Sequence, residues 1–222
     1  MVVLATKVYV AGDAGERAVR SLDALVRNTI GELSVEWTIG VRHDDFPTVT
    51  ITGEDAPVAR AALREEWGEI TTEYEPGTVG IGTLESWDDS GWTLDAGTEI
   101  RIAEDDLELG PGSPAQLIER FGLVQHQRLE FVAGEEPVLA PDQVDALYEW
   151  QRGPGRLNVN CVTRGEVRST LNRAGHAQDV ITIERLGLLE QSVICTDDTD
   201  PPGLLAAVGK YLPGEMRCVI SQ

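Results

Sequence analysis

The sequence predicts an α+β protein of three modules: a ferredoxin-like βαββαβ domain, a five-stranded barrel of the OB or S1 kind, and a second ferredoxin-like domain. Three observations carry this. Apolar patterns of period 2 and period 3.6 alternate in the order β-α-β-β-α-β at both ends of the 222-residue chain. Between them lie three closely spaced strand patterns, one helix and two more strands, the order of an OB barrel. Pro76-Gly77 and "RGPGR" (Arg152–Arg156) punctuate the chain and set expected boundaries of 1–75, 76–152 and 153–222.

In the first module "VVLATKVYV" (2–10) has strand character, and "DAGERAVRSLDALVRNTIG" (13–31) has helical spacing. Ala18, Leu22, Leu25, Val26 and Ile30 fall on one stripe, with Asp13 as the expected N-cap and Gly31 as the C-cap. "SVEWTIGV" and "PTVTITG" are strands, and "DAPVARAALREEW" is a helix with Pro57 in its first turn. "GEITTEY" (68–74) completes the module; a version lacking that strand is the nearest competitor.

The middle module opens with "VGIGTLESWDDSGWTLDAG" (79–97), two strands around an Asp-Ser-Gly turn, and "TEIRIAEDDL" follows as a third. Glycines 77, 80 and 82 suit a sharply coiled first strand. "SPAQLIERFGL" is a capped helix, "HQRLEFVA" and "EPVLA" are strands, and "PDQVDALYEWQR" is a helix leading to the Gly-Pro-Gly linker. In the last module "RLNVNCV", "QDVITIERLG", "LLEQSVICT" and "MRCVISQ" are strands. "RGEVRSTLNRAG" is a helix closed by Gly175, and "DPPGLLAAVGKYL" is a helix capped by Asp200. The two outer modules share topology and no convincing residue-level similarity.

The stretch "RAGHAQDVITIERLGLLEQSVICTDDTDPPGLLAAVGKYL", together with "GTLESWDDSGWTLDAG", resembles an archaeal, haloarchaeal protein family catalogued as domain of unknown function 2110. The resemblance extends over the whole chain. It implies an archaeal cytoplasmic protein with an OB- or S1-like middle, and it carries no catalytic residues. Contact with RNA enters only by analogy of fold.

Charge is the strongest bulk signal. Asp and Glu number 38 against 18 Lys and Arg, for a net charge of −20, and Lys7 and Lys210 are the sole lysines. Carboxylate-rich, lysine-poor composition suits a cytoplasm of molar KCl, where the Debye length shrinks to about 3 Å and self-repulsion is tolerable. We therefore expect a halophilic, cytoplasmic protein; the N-terminus lacks the basic region of a signal peptide, and no membrane association is expected.

The charge is unevenly spread. Residues 76–150 hold three basic and 16 acidic residues, a poor surface for a phosphate backbone. Trp87 and Trp92 in this module could stack on bases or cover the barrel's end. Residues 151–222 balance eight basic against eight acidic residues, and 151–185 hold six arginines against three acids. Arg156, Arg164, Arg168, Arg173 and His176 form the candidate nucleic-acid site, Arg164 and Arg168 sharing a helix face. The alternatives are a solvated arginine-rich face, or a patch that docks onto the protein's own acidic barrel. Strand "RLNVNCV" has no aromatic, which argues against base stacking on this sheet in the manner of an RRM.

Catalytic constellations are thin. Cys161, Cys195 and Cys218, placed on neighbouring strands, lack the close pair of a zinc site and read as buried thiols. His43, His126 and His176 are dispersed over the three modules. "GDAGERA" and the acids Asp197, Asp198 and Asp200 read as helix caps and solvated acid rather than as anion or cation sites. No cofactor or metal is expected. The leading reading is a non-catalytic factor that binds RNA or a ribonucleoprotein; the others are a protein-interaction adaptor, and a small-molecule-binding protein or enzyme with a cleft between domains.

Overall fold

A computed structural model describes residues 1–220; Ser221 and Gln222, the end of the last expected strand, lie outside the described residues. The described residues form a mixed α/β structure with six α-helices and three antiparallel sheets.

The first sheet has the order β1-β3-β2, with β1 at Val2–Val3, β2 at Val35–Val41 and β3 at Pro47–Gly53. Helices α1 (Gly12–Ile30) and α2 (Ala56–Trp67) pack on it. Ala18, Leu22, Val26 and Ile30 of α1 are fully buried at a spacing of one turn, and Leu25 on the flank is partly so. The helix starts at Gly12, so Asp13 does not cap it but sits in the first turn, where a carboxylate still favours the dipole.

Two expected strands of this module are cut short. The strand expected over 2–10 ends at Val3, because the Thr6 amide turns back to the Leu4 carbonyl (2.9 Å). Residues 4–8 then run, buried, between the three sheets. With so short a neighbour to pair with, "GEITTEY" contributes one bridge, Leu4 to Glu69, and the Ile70 amide donates to the Val3 carbonyl at 2.9 Å.

The second sheet has the order β6-β5-β4-β7-β8: β4 is Val79–Asp88, β5 Gly91–Asp95, β6 Glu99–Ala103, β7 Arg128–Val132 and β8 Val138–Leu139. It curls into a half-barrel, and its end strands β6 and β8 do not pair with each other. The curl needs Gly80, since a Cβ there would stand 2.6 Å from atoms of both Tyr74 and Phe131. Helix α3 (Pro114–Phe121) opens with a capping box between Ser113 and Gln116. Helix α4 (Pro141–Arg152) adds Leu147 and Trp150 to the same core.

The third sheet has the order β10-β11-β9-β12, where β9 is Arg156–Val159, β10 Val180–Arg185, β11 Gln191–Cys195 and β12 Met216–Val219. Helices α5 (Arg164–Ala174) and α6 (Pro201–Val208) cover one face. Thr163 and Glu166 form the capping box of α5, Gly175 closes it in the left-handed conformation, and Asp200 caps α6.

The opposite face of this sheet is covered by the middle of the chain. Asn158 donates to the Gly122 carbonyl (2.9 Å) and Asn160 donates to that of Gln125. The Gln125 amide in turn donates to Glu215 at 2.7 Å. Gly122, at φ 59, allows this approach; a Cβ there would stand 2.7 Å from Val219. Both β9 and β11 are buried along their whole length as a result.

Candidate nucleic-acid interface

The structure divides the candidate residues into two groups. Trp92 is fully buried in the core of the half-barrel, its indole N–H donating to the Pro114 carbonyl (3.1 Å), so the expectation that it stacks on a base is corrected. Trp87 is half-buried, and Arg217 of β12 lies 5.7 Å from its ring centre. Arg217 also pairs with Glu215 (3.0 Å) and Glu119, so Trp87 belongs to a contact between the half-barrel and the third sheet.

Arg156 is corrected in the same way. Only 6% exposed, it lies over the Trp150 ring (5.4 Å) and pairs with Glu184 at 3.4 Å. Burial pulls its pKa below the ordinary guanidinium value. Arg152 pairs with Glu149 at 2.8 Å, and Arg185 lies 5.3 Å over Trp67 of α2. Half of the six arginines therefore serve packing and pairing within the chain.

The other half stand free of carboxylates. Arg164, Arg168 and Arg173 project from α5, exposed, and among the described residues none makes an ion pair. Arg173 has only the Thr170 hydroxyl at 3.4 Å. Arg164 and Arg168 are one turn apart on one face. Arg168 borders a groove against edge strand β10, whereas Arg173 faces the turn after α6. His176 is partly exposed at the end of α5, its Nδ1 2.6 Å from Asp179. Sequence reasoning misses two residues at this end: Lys210 and Tyr211, both exposed, with Lys210 Nζ 4.9 Å from the Tyr211 ring centre. The rarity of lysine in the chain is the signal that points to the first.

The other lysine has a different task. Lys7, 5% exposed, bonds Glu85 (2.9 Å) and Asp95 (2.8 Å) and lies over the Phe46 ring. Burial opposes its charge, but the bonds to Asp95 and Glu85 outweigh it and raise its pKa above the ordinary value. A bulge in β4 between Leu84 and Ser86 places Glu85 there, where it also meets His126 Nδ1 at 3.1 Å. The hydrogen bond with His126, and then that with Lys7, hold the Glu85 carboxyl down to about 2 against burial. Tyr9 packs on the His126 ring (4.8 Å), donates to Asn160 (2.6 Å) and accepts the Glu215 amide (2.9 Å). Its burial pushes the phenol up to about 12. Thr6 donates to the buried Glu190 at 2.6 Å, whose pKa burial raises. The segment after β1 thus joins all three sheets.

With this geometry described, comparison with known proteins assigns the chain. The DUF2110 N-terminal domain matches residues 1–73, the DUF2110 central domain 74–151 and the DUF2110 C-terminal domain 154–220. The chain belongs to the DUF2110 family. No curated protein matches it.

The thiols of this DUF2110 chain differ in place. Cys161 lies just past β9 at φ 55, buried among residues of the first module's core rather than on a strand as expected. Cys195 is buried on β11, and Cys218 on β12 is half-buried instead of fully so. Burial pushes Cys161 and Cys195 up to about 11, which leaves both as unreactive thiols. No helix among the described residues is long and apolar enough to cross a membrane.

Proposed function

We propose that this DUF2110 chain is a non-catalytic factor that binds RNA or a ribonucleoprotein, contacting phosphates through Arg164, Arg168 and Arg173 of α5. One observation carries the reading: three exposed guanidinium groups on one helix lack carboxylate partners in a chain of net charge −20. Acid is plentiful enough to pair every cation, so leaving these three free suits an external anion. Guanidinium forks fit phosphate oxygens in close, aligned bonds, the kind that survive molar salt. A role in translation or transcription suits such a factor.

The same proposal takes the outer modules, 1–75 and 153–222, as ferredoxin-like and the middle, 76–152, as an OB-like barrel left open between β6 and β8. The all-antiparallel order β10-β11-β9-β12 supports the first assignment for 153–222. The order β1-β3-β2 with its single Leu4–Glu69 bridge supports a version short of the last strand for 1–75, and five strands with a helix between the third and fourth support the barrel. The acid-rich, lysine-poor composition supports a halophilic archaeal cytoplasm as the setting.

Sedimentation of native lysate in molar KCl, with and without ribonuclease, tests the function. Heavy migration that collapses after nuclease supports RNA; heavy migration that resists it favours a protein adaptor; sedimentation as a free chain refutes both. Arg164→Glu with Arg168→Glu should abolish the nuclease-sensitive fraction and leave the melting temperature unchanged. With purified single-stranded RNA the same pair should flatten the slope of log K against log salt by about 1.4, at roughly 0.7 for each phosphate that is no longer neutralised.

A further inference from the structure

We propose that the groove between α5 and the turn after α6 takes one unpaired nucleotide of a nucleic-acid strand, its base stacked on Tyr211 and its phosphate held by Arg173 and Lys210. The inference rests on the reading of α5 as a phosphate-binding face and gives that face a way to select single strands. Tyr211 is 57% exposed, at the end of the turn Gly209–Tyr211. An aromatic ring left in solvent beside cations suits binding of a base and its phosphate, and two cations stand beside this one. Lys210 Nζ lies 4.9 Å from the ring centre, and Arg173 lines the same groove as the ring, with Thr170 and Ala174.

The space fits the ligand. The groove beside Tyr211 has a volume of about 380 Å³, within the range of roughly 300–1,000 Å³ that small ligands occupy. It continues into a second hollow lined by Ser169, Thr170, Arg173 and Tyr211, with Arg17 of α1 at its rim. Hydroxyls and guanidinium groups there suit a sugar-phosphate chain. The acid bordering this hollow, Glu166, is bound to the Thr163 amide (2.9 Å) and to Arg17 (3.5 Å), so its charge is already answered.

The site also answers the absence of aromatics from the third sheet. The sheet face on which such a domain would stack bases is covered by Gly122 and Gln125. Tyr211 supplies a stacking surface on the helical side of the same domain, beside α5. A duplex keeps its bases in the stack and offers none to the ring, so the groove discriminates by strand state.

The test is fluorescence anisotropy with labelled oligoadenylate RNA, the corresponding oligodeoxyadenylate, and a blunt RNA duplex, using wild type, Tyr211→Ala and Tyr211→Phe. Stacking of one base predicts that Tyr211→Ala weakens single-strand binding about fivefold or more, that Tyr211→Phe retains it, and that duplex binding is unchanged. Dependence on Tyr211 with RNA or with DNA identifies the strand the site takes. Single-strand binding that needs Arg164 and Arg168 but is indifferent to Tyr211→Ala overturns this site and leaves the phosphate-binding face standing. Equal loss of single-strand and duplex binding also overturns it. Wild-type protein that binds none of the three probes overturns the proposed function itself.

Discussion

Replacing Lys7 by methionine isolates the buried cation that ties the segment after β1 to the second sheet. Methionine keeps an unbranched chain against the Phe46 ring and removes the ammonium that bonds Glu85 at 2.9 Å and Asp95 at 2.8 Å. Truncating one side of a buried ion pair costs about 3–5 kcal/mol, because the remaining charge stays behind unanswered. Glu85 is 40% exposed and Asp95 26% exposed, so water answers part of that charge and the lower end, about 3 kcal/mol, applies. For a chain of this size that lowers the melting temperature by about 6–12 °C. Adding Glu85→Gln and Asp95→Asn to Lys7→Met should recover most of the loss, since a neutral site of similar volume carries no stranded charge. The assay is calorimetry in molar KCl, with Arg27→Gln, which breaks an exposed pair with Asp23 (2.9 Å), as a control that should move the melt little. A Lys7→Met protein that melts with wild type, or a triple variant that melts below the single one, refutes the assignment of Lys7 as the keystone of the junction.

Two further outcomes follow from the same contacts. The Glu85 carboxyl has a folded pKa of about 2 against an ordinary 4.5, so its contribution is full above pH 4.5 and is lost as pH falls towards 2. Glu85→Gln should therefore be less stable than wild type at neutral pH, with the difference shrinking over that acid window in a pH series of urea melts. The raised pKa values of Cys161 and Cys195 predict slow alkylation of the native protein at mildly alkaline pH, with half-buried Cys218 reacting first and all three reacting in urea. Mass spectrometry of the labelled chain reads the order directly.

Helix ends are legible in the sequence because their chemistry is local. Ser113 with Gln116 and Thr163 with Glu166 close capping boxes within four residues, and Gly122 and Gly175 end the same helices in the left-handed conformation that glycine reaches freely. The strand expected over residues 2–10 fails for the opposite reason. Its apolar character is real, but Leu4 and Val8 fill the first module's core and Ala5 packs on Phe46 and Ile70 without the chain continuing as a strand. Apolar residues alone do not separate a strand from buried irregular chain. Trp92 carries a usable signal: on β5 it shares strand parity with Leu94, and both point into the core. The arginine count over 151–185 does not by itself divide paired arginines from free ones. Which arginines are free depends on Trp150, Trp67 and Glu184, partners that only the tertiary structure brings to them.

The covered sheet face and the acidic half-barrel have a joint effect on where an anion can bind. Asn158 and Asn160, which alternate with apolar residues on "RLNVNCV" and suggest a solvent-facing side, are spent on the Gly122 and Gln125 carbonyls, and Arg217 reaches across to Trp87 and Glu119. The third sheet is thereby turned towards a module with 16 acids and three bases over 76–150, and its helical side is left outward. Under the proposed reading a phosphate chain would find its guanidinium contacts on α5, away from those acids. In the proposed molar-salt setting repulsion would reach only about 3 Å, so discrimination would fall to contact geometry rather than to long-range attraction. Under the proposed reading the burden then falls on Arg164 and Arg168, one turn apart on α5, and on Arg173, which faces the turn after α6.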